Sequence, residues 1–282
     1  MAMTSCRNCG SPYSEDLEAC PSCGYKPRRK SSTMAAPKGP QAAPDPLAEL
    51  AARLRQVLDS SGALMSWSTS AAPHNLPLLC QEAARNGHRD AQFLLGISHL
   101  CGIGGPSNTR LALRWLQEAA NAGDGHASTA IGVIHDRAIG VPRDATLAAR
   151  YYSDGVQRGV PMASNNLATL HESGQGVPTH PTMARQLFES AWAAGLHLGA
   201  TNLARMLRGG LGGSRDVARA LQILLETGAK GDANSWVELA RMYHRGEGVP
   251  LDRGKVTEYL KKAVALGSTE ARGIMNQLGI TG

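Results

Sequence analysis

Aromatic side chains are scarce in this sequence, since phenylalanine occurs twice in 282 residues and all aromatic residues together make up 4%. Glycine, in contrast, occurs 32 times. A core this poor in large rings has to pack closely through small residues, which suits stacked helices. Long apolar runs are also lacking, because no stretch approaches the roughly 20 residues that a membrane-spanning helix needs. We therefore expect a helical protein without a membrane span.

An export signal is not recognisable either, because Met1 to Cys9 has no basic start followed by an apolar stretch. Six cysteines are present, four of them within the first 23 residues, and Cys80 and Cys101 stand apart. This layout favours a reducing, cytoplasmic location in which thiols bind metal. The formal net charge of +6 is too small to argue for nucleic-acid binding by itself.

The N-terminal cysteines form two Cys-x-x-Cys pairs, Cys6 with Cys9 and Cys20 with Cys23. Two residues between thiolates let a tight turn direct both sulfurs at one ion, and two such turns supply the tetrahedral set that structural zinc prefers. Two disulfides or a redox-active pair are the alternatives, but a redox motif would not need the second pair. Residues 1–25 are too few to fold around a core of their own. The sequence therefore predicts one structural zinc ion in a module similar to a short zinc ribbon.

Residues 26–44 are rich in proline, alanine and basic side chains and show no apolar periodicity, which predicts a disordered tether. Asp45 and Pro46 then form a helix start, with a capping residue followed by proline at the first helical position. Apolar residues follow at helical spacing, namely Leu47, Leu50, Leu54, Val57 and Leu58. The pattern predicts a first amphipathic helix that ends near residues 60–62.

From about residue 73 the sequence repeats itself with a period of 36. When blocks are counted from residues 91, 127, 163, 199 and 235, glycine occupies the fourteenth position each time, as Gly104, Gly140, Gly176, Gly212 and Gly248. Glycine also occupies the thirty-third position, as Gly123, Gly159, Gly195, Gly231 and Gly267. The fifth position is always aliphatic and the sixth always glycine or alanine. Five matches in register establish an internal repeat.

Each block contains two helical apolar patterns, at positions 1–11 and 18–32, and the glycines lie just past their ends, where the left-handed conformation closes a helix. Position 18 supplies residues that can cap the second helix, namely Asn108, Asp144, Asp216 and Asp252. A helix–turn–helix unit of this kind cannot bury its own apolar face and has to stack on its neighbours. The prediction is an all-α, right-handed solenoid.

The predicted domains are a zinc module at 1–25, a linker at 26–44, N-terminal capping helices with a half repeat at 45–90, five repeats at 91–270, and a C-terminal capping helix at 271–282. The turn sequences Gly174-Gln175-Gly176-Val177-Pro178 and Gly246-Glu247-Gly248-Val249-Pro250 closely resemble those of the Sel-one-like repeat family, a branch of the tetratricopeptide-type solenoids. The resemblance covers residues 73–282. It implies a non-enzymatic adaptor that brings proteins together.

In tetratricopeptide-type arrays, positions 3, 7 and 10 of each first helix line a concave surface, which we call the inner face. These positions run from apolar in the first block (Phe93, Ile97, Leu100) to basic in the last two. The sequence therefore predicts a groove for an acidic or C-terminal peptide of another protein, with charge-assisted hydrogen bonds from the arginines. The candidate residues are Asn165, Glu172, Arg205, Arg208, Arg241, His244 and Arg245.

Two other functions remain as alternatives. The zinc module and the basic run Lys26, Arg28, Arg29 and Lys30 could contact nucleic acid, although stacking aromatics are few there. One secreted branch of the same family has been associated with β-lactam binding, but the sequence contains no Ser-x-x-Lys motif and lacks the helical cysteine pairs of that branch. An interaction scaffold is therefore the favoured function, and the oligomeric state is open.

Overall fold

The computed structural model describes residues 3–5, 12–14, 45–61 and 75–280. The chain divides into two compact units, Met1–Pro44 and Asp45–Gly282. The four cysteines of the predicted zinc site and the predicted linker at 26–44 lie outside the described residues. Within the described part, no helix is long and apolar enough to cross a membrane.

The first unit contains a short antiparallel pair of strands, β1 (Met3–Ser5) and β2 (Pro12–Ser14). Their register places Thr4 opposite Tyr13. The first Cys-x-x-Cys pair lies between these strands in the sequence. The strands lie within residues 1–25, outside the part predicted to be helical, and the zinc site itself stays a prediction.

The second unit consists of helices in its described part. The first helices of the five repeats are α3 (Arg89–Cys101), α5 (Gly125–Asp136), α7 (Pro161–Ser173), α9 (His197–Gly209) and α11 (Ala233–Arg245). The second helices are α4 (Thr109–Asn121), α6 (Ala145–Gln157), α8 (Pro181–Ala193), α10 (Val217–Ala229) and α12 (Arg253–Ala265). Helices α1 (Pro46–Ser61) and α2 (Leu76–Arg85) precede the array, and α13 (Thr269–Gln277) follows it. Each helix from α2 onward packs against the next one along the chain.

The helix starts agree with the capping pattern. Asn108, Asp144, Asp216 and Asp252 each accept a backbone hydrogen bond at the start of a second helix, as predicted. In the third repeat His180 takes this role through its ring Nδ1, which accepts from the backbone N–H of Met183. The first helices begin two residues before the predicted block starts, for example at Arg89 rather than at residue 91. Side-chain caps mark the starts of α3, α5 and α11, whereas α7 and α9 begin without one.

The two conserved positions of glycine within the repeat have different causes. At the fourteenth position, Gly176 has a φ of +71°, and an added Cβ would lie 2.3 Å from the carbonyl carbon of Ala145 in the preceding repeat. Gly212 is placed in the same way against Pro181, with a separation of 2.2 Å. At the thirty-third position, Gly195 has a φ of +93° but open space around the Cβ position. The first glycine thus permits repeats to stack, whereas the second only ends a helix.

Candidate protein-binding face

Helix α1 lies against the first helices of the array, where it contacts α3, α7 and α9. Ala51, Leu54 and Leu58, which are at most 2% exposed, form its buried side. Val57 is 45% exposed, so one of the five predicted apolar positions is not buried. The inner face is therefore partly covered by a helix of the same chain.

An arginine on the buried side of α1 joins it to the first two repeats. The Arg55 guanidinium donates to Asp90 Oδ1 over 2.7 Å and also to Asp124 Oδ2. It lies above the Phe93 ring, with Cζ 4.9 Å from the ring centroid. Burial disfavours the charged form, but the two carboxylates outweigh it and raise the pKa of Arg55. Because the Asp124 side chain is only 2% exposed, this is an almost fully desolvated ion pair.

Two histidine–aspartate contacts hold α1 at its two ends. His88 Nε2 lies 2.7 Å from Asp45 Oδ2 at the start of the helix. His126 Nε2 lies 2.8 Å from Asp59 Oδ1 near its end. His88 caps α3 through its other ring nitrogen, and His126 belongs to the first turn of α5. Both histidines thus link α1 to the starts of first helices.

The apolar end of the predicted groove is closed. Phe93 and Ile97 are completely buried and Leu100 is 2% exposed, so these residues offer no open surface to a partner. At the seventh position of the block, Ile97 and Val133 are buried, whereas Thr169 and Arg205 are exposed. We attribute this change to α1, whose polar contacts reach α3 and α5.

The predicted groove residue Asn165 is also closed off. Its side chain is 3% exposed, and Asn165 Oδ1 accepts a hydrogen bond from Asn202 Nδ2 over 2.9 Å. This bond connects the third repeat to the fourth. Asn165 therefore stabilises the stacking of repeats rather than presenting a contact to a partner.

The C-terminal half of the inner face is open and carries paired charges. Arg205 donates two parallel hydrogen bonds to Glu172, over 2.5 and 2.6 Å. These bonds raise the pKa of the Arg205 guanidinium. Arg241 donates to Glu238 and to Glu270, each over 2.5 Å. Ion pairs thus connect the third repeat to the fourth, and the fifth to the C-terminal helix.

Arg208 and Arg245 extend this network. Arg208 lies 3.4 Å from Glu238 and 3.5 Å from Glu247, and Arg245 lies 3.3 Å from Glu247. The contacts of Arg208 are long, and its Nε and Nη1 atoms are buried without a hydrogen bond. The four predicted arginines therefore face four glutamates. The expectation of a strongly basic end is wrong, because the sequence prediction included Glu172 but not Glu238, Glu247 and Glu270, which also pair with the arginines.

Two cavities bring the predicted residues together at this end. One of about 320 Å³ lies between α9 and α11 and is lined by Arg205, Arg241 and Glu270 among others. A second of about 250 Å³ is lined by Arg241, His244 and Arg245 together with residues of α12 and α13. In the described part of the chain no group of three or more potential metal ligands occurs. The open surface at this end is therefore polar, and its described residues form no cation site.

Sequence reasoning missed the residues that hold α1. A signal was available, because Ala51, Leu54, Arg55 and Leu58 follow the spacing i, i+3, i+4 and i+7, so Arg55 shares the apolar side of the helix. A basic residue in that place indicates an acidic partner. The sequence does not identify that partner, because Asp90 and Asp124 lie 35 and 69 residues away from Arg55 along the chain.

Helix pairs of constant period, stacked in chain order and closed by glycine, define an α-solenoid repeat protein. The sequence matches the model of the Sel1 repeat over residues 89–124, 126–154, 161–196, 197–232 and 237–268, which is more than half of the chain. The protein belongs to the Sel1 repeat family, whose members generally mediate protein–protein interaction.

Solved structures show the same fold at low sequence identity. A Sel1 repeat protein from Oxalobacter formigenes is 21% identical, with a TM-score of 0.61 over 70% of this chain and 85% of that one. The protective antigen c5321 of uropathogenic Escherichia coli strains is 22% identical, with a TM-score of 0.63 over 84% of this chain and 52% of that one. No curated protein matches the sequence.

Proposed function

We propose that this protein is a non-enzymatic scaffold that binds another protein on the inner face of its repeats. The observation that supports this most directly is the open, ion-paired surface of repeats three to five, where side chains from different helices line cavities. Solenoids present such extended surfaces because each repeat contributes one helix at a regular spacing. Family membership supports the same function.

The charges of this surface define the kind of partner. A guanidinium has five N–H donors, so Arg205 and Arg241 keep donors beyond those bonded to glutamate. Arg208 is held less closely, since its contacts with Glu238 and Glu247 measure 3.4 and 3.5 Å. The glutamates in turn accept basic side chains. We therefore propose a partner segment that carries acidic groups, such as a peptide carboxylate, beside basic ones.

Photo-crosslinking tests the location of binding. A benzophenone amino acid is introduced at Thr169 or Asn234, both exposed on first helices, and in matched controls at Gln186 or Gln222, both exposed on second helices. Irradiation in the native host should join a partner protein to the first pair of variants and not to the second. Equal crosslinking from both faces would contradict binding on the inner face.

Exchange of one ion pair tests the chemistry of binding. The double variant Glu172→Arg/Arg205→Glu keeps an ion pair at the same place but reverses its direction. We expect it to melt like the wild type and to lose the crosslinked partner. If the partner still binds, recognition does not depend on these charges.

The four N-terminal cysteines are proposed to bind one structural zinc ion. Four thiolates from two Cys-x-x-Cys pairs fill a tetrahedral site completely, which leaves no position for a reacting water. Zinc measured by mass spectrometry should be one ion per chain, and Cys6→Ser with Cys20→Ser should remove it. The proposal is contradicted if the protein contains no zinc after purification in a reducing buffer that supplies zinc.

A further inference from the structure

Helix α1 differs from every other described helix in how it is attached to the chain. Fourteen residues, 62–75, separate it from α2, whereas three to eight residues join the helices that follow. Most connections between consecutive helices of a compact unit are shorter than this. Helix α1 also lies outside the 36-residue period. Its position is therefore set by its contacts with the array rather than by a short turn.

Those contacts have the composition of a helix-binding groove. Leu54 and Leu58 are buried one helical turn apart, and the intervening Arg55 reaches two carboxylates at the starts of α3 and α5. Amphipathic helices that bind in grooves use anchors at this spacing. The buried Asp124 adds specificity, because a helix without a basic residue at that place leaves its carboxylate desolvated without a cation, whereas Asp90 keeps Arg89 at 3.5 Å.

We propose that the surface beneath α1 is a binding site for a partner helix and that α1 is its internal occupant. The partner helix carries the pattern Ala-x-x-Leu-Arg-x-x-Leu that α1 presents to the array. This inference deepens the proposed scaffold function by naming a second surface and the class of segment that it binds. Helix α1 also contacts α7 and α9, so the two surfaces adjoin. Their tests stay distinguishable, because peptide binding depends on Leu54, Arg55 and Leu58, whereas binding at repeats three to five depends on Glu172 and Arg205.

The covalent connection makes α1 a competitor of any such partner. A tethered segment acts at a high effective concentration. A free helix therefore binds the intact chain weakly unless the contacts of α1 with the array are weakened or α1 is removed. The site is thus closed by default, and a partner has to match the Leu54, Arg55 and Leu58 contacts better than α1 does.

The test uses the full chain and a fluorescein-labelled synthetic peptide that copies residues 45–61. Anisotropy is measured with the wild type and with the variant Leu54→Asp/Leu58→Asp, in which charged side chains prevent α1 from occupying its site. We expect the variant to bind the peptide at least about tenfold more tightly than the wild type does. The matched control Val57→Asp changes an exposed residue of the same helix and should bind like the wild type.

Altered peptides test the pattern itself. A peptide with Leu54→Asp should not bind the full-chain variant Leu54→Asp/Leu58→Asp. A peptide with Arg55→Glu should bind this variant at least about tenfold more weakly than the unaltered peptide does, because it places an acid between Asp90 and Asp124. Equal binding of all three peptides would show a nonspecific apolar surface and overturn the proposal.

Amide hydrogen exchange of the same proteins separates a ligand from a structural helix. We expect exchange in Leu54→Asp/Leu58→Asp to accelerate in α1 and to stay slow in α5 and α9. If the array itself melts in this variant, or binds no peptide while folded, α1 is part of the core and the proposal is wrong. If light scattering shows wild-type dimers that Leu54→Asp/Leu58→Asp abolishes, the site serves a second copy of the chain, which equally rules out a partner helix.

Discussion

The two ends of the inner face are built from the same repeat but present different surfaces. In the first two repeats the seventh position is Ile97 or Val133, both buried, and the starts of the helices hold Arg55 of α1. In the last two repeats the same position is Arg205 or Arg241, and each pairs with a glutamate of another helix, Glu172 or Glu270. One backbone position therefore serves a covered apolar contact at one end and an open ionic surface at the other.

This difference shows how a solenoid separates stability from recognition. Positions that stack the repeats, such as the glycine at Gly176 or Gly212, are the same along the array because the backbone contact repeats. Positions on the inner face are free to vary, since each contacts only its own surroundings. The three predictions that follow examine the two ends, from the largest expected effect to the smallest.

The largest effect is expected from replacing the acid that connects α1 to the array. Asp124 caps α5 and also accepts from Arg55, whereas Asp232 holds the equivalent position and caps α11. Asp124→Ala should lower the free energy of unfolding by about 3 kcal/mol, because it removes a cap and one partner of a buried ion pair. Asp232→Ala should cost about 1 kcal/mol, the effect of a cap alone.

Urea titrations of both variants measure this difference. If Asp124→Ala and Asp232→Ala are equally destabilised, the contact with Arg55 contributes nothing, and the covered end is no more strongly connected than the open one.

A smaller effect is expected at the open end. Arg205 and Glu172 form a two-bond ion pair, but their side chains are 43% and 24% exposed, so water screens the interaction. A double-mutant cycle with Arg205→Ala and Glu172→Ala should give a coupling energy of about 0.5 kcal/mol that falls further in 1 M salt. A coupling above about 2 kcal/mol would show that this end is held as firmly as the other.

The smallest effect is expected at the start of α1 in acid. The hydrogen bond that the Leu47 N–H donates to Asp45 lowers the pKa of this carboxyl below its ordinary value of 3.8, with a further contribution from His88. Because the pKa is lower in the folded state, the ionised carboxyl stabilises this state at pH values above 3.8. This contribution to the free energy of unfolding is lost as the pH falls through the folded-state pKa. The Leu47 amide resonance should therefore titrate below pH 3.8. Asp45→Asn should abolish that titration, and a midpoint at or above 3.8 would contradict the contact.

The parts of the fold that were predictable depend on local interactions. The caps at Asn108, Asp144, Asp216 and Asp252 each involve residues three apart in sequence, and propensity and spacing find such contacts. His180 was not found, because histidine is an unusual cap and only its ring orientation reveals the bond. Three of the five first helices begin after a capping side chain that precedes the apolar pattern, namely His88, Asp124 and Asp232.

The candidate site was predictable only in part. Positions 3, 7 and 10 place Arg205 and Arg241 at one end of the array, where both line one cavity. These positions omit Glu238 and Glu270, which pair with Arg241. A stripe of three positions leaves out other residues of the same helix, such as Glu238, and residues of later helices, such as Glu270, and these determine the net charge of a surface.

The sequence by itself determined the repeat, its period of 36, the helix pairs and the positions at which glycine is required. These follow from backbone geometry, which acts between residues close together in the chain or separated by one fixed period. Only the tertiary structure decided that α1 covers the first two repeats and that the arginines of the last two are paired. Both depend on contacts between segments about 30 to 70 residues apart, whose free energy comes from burial and charge complementarity that no local pattern encodes.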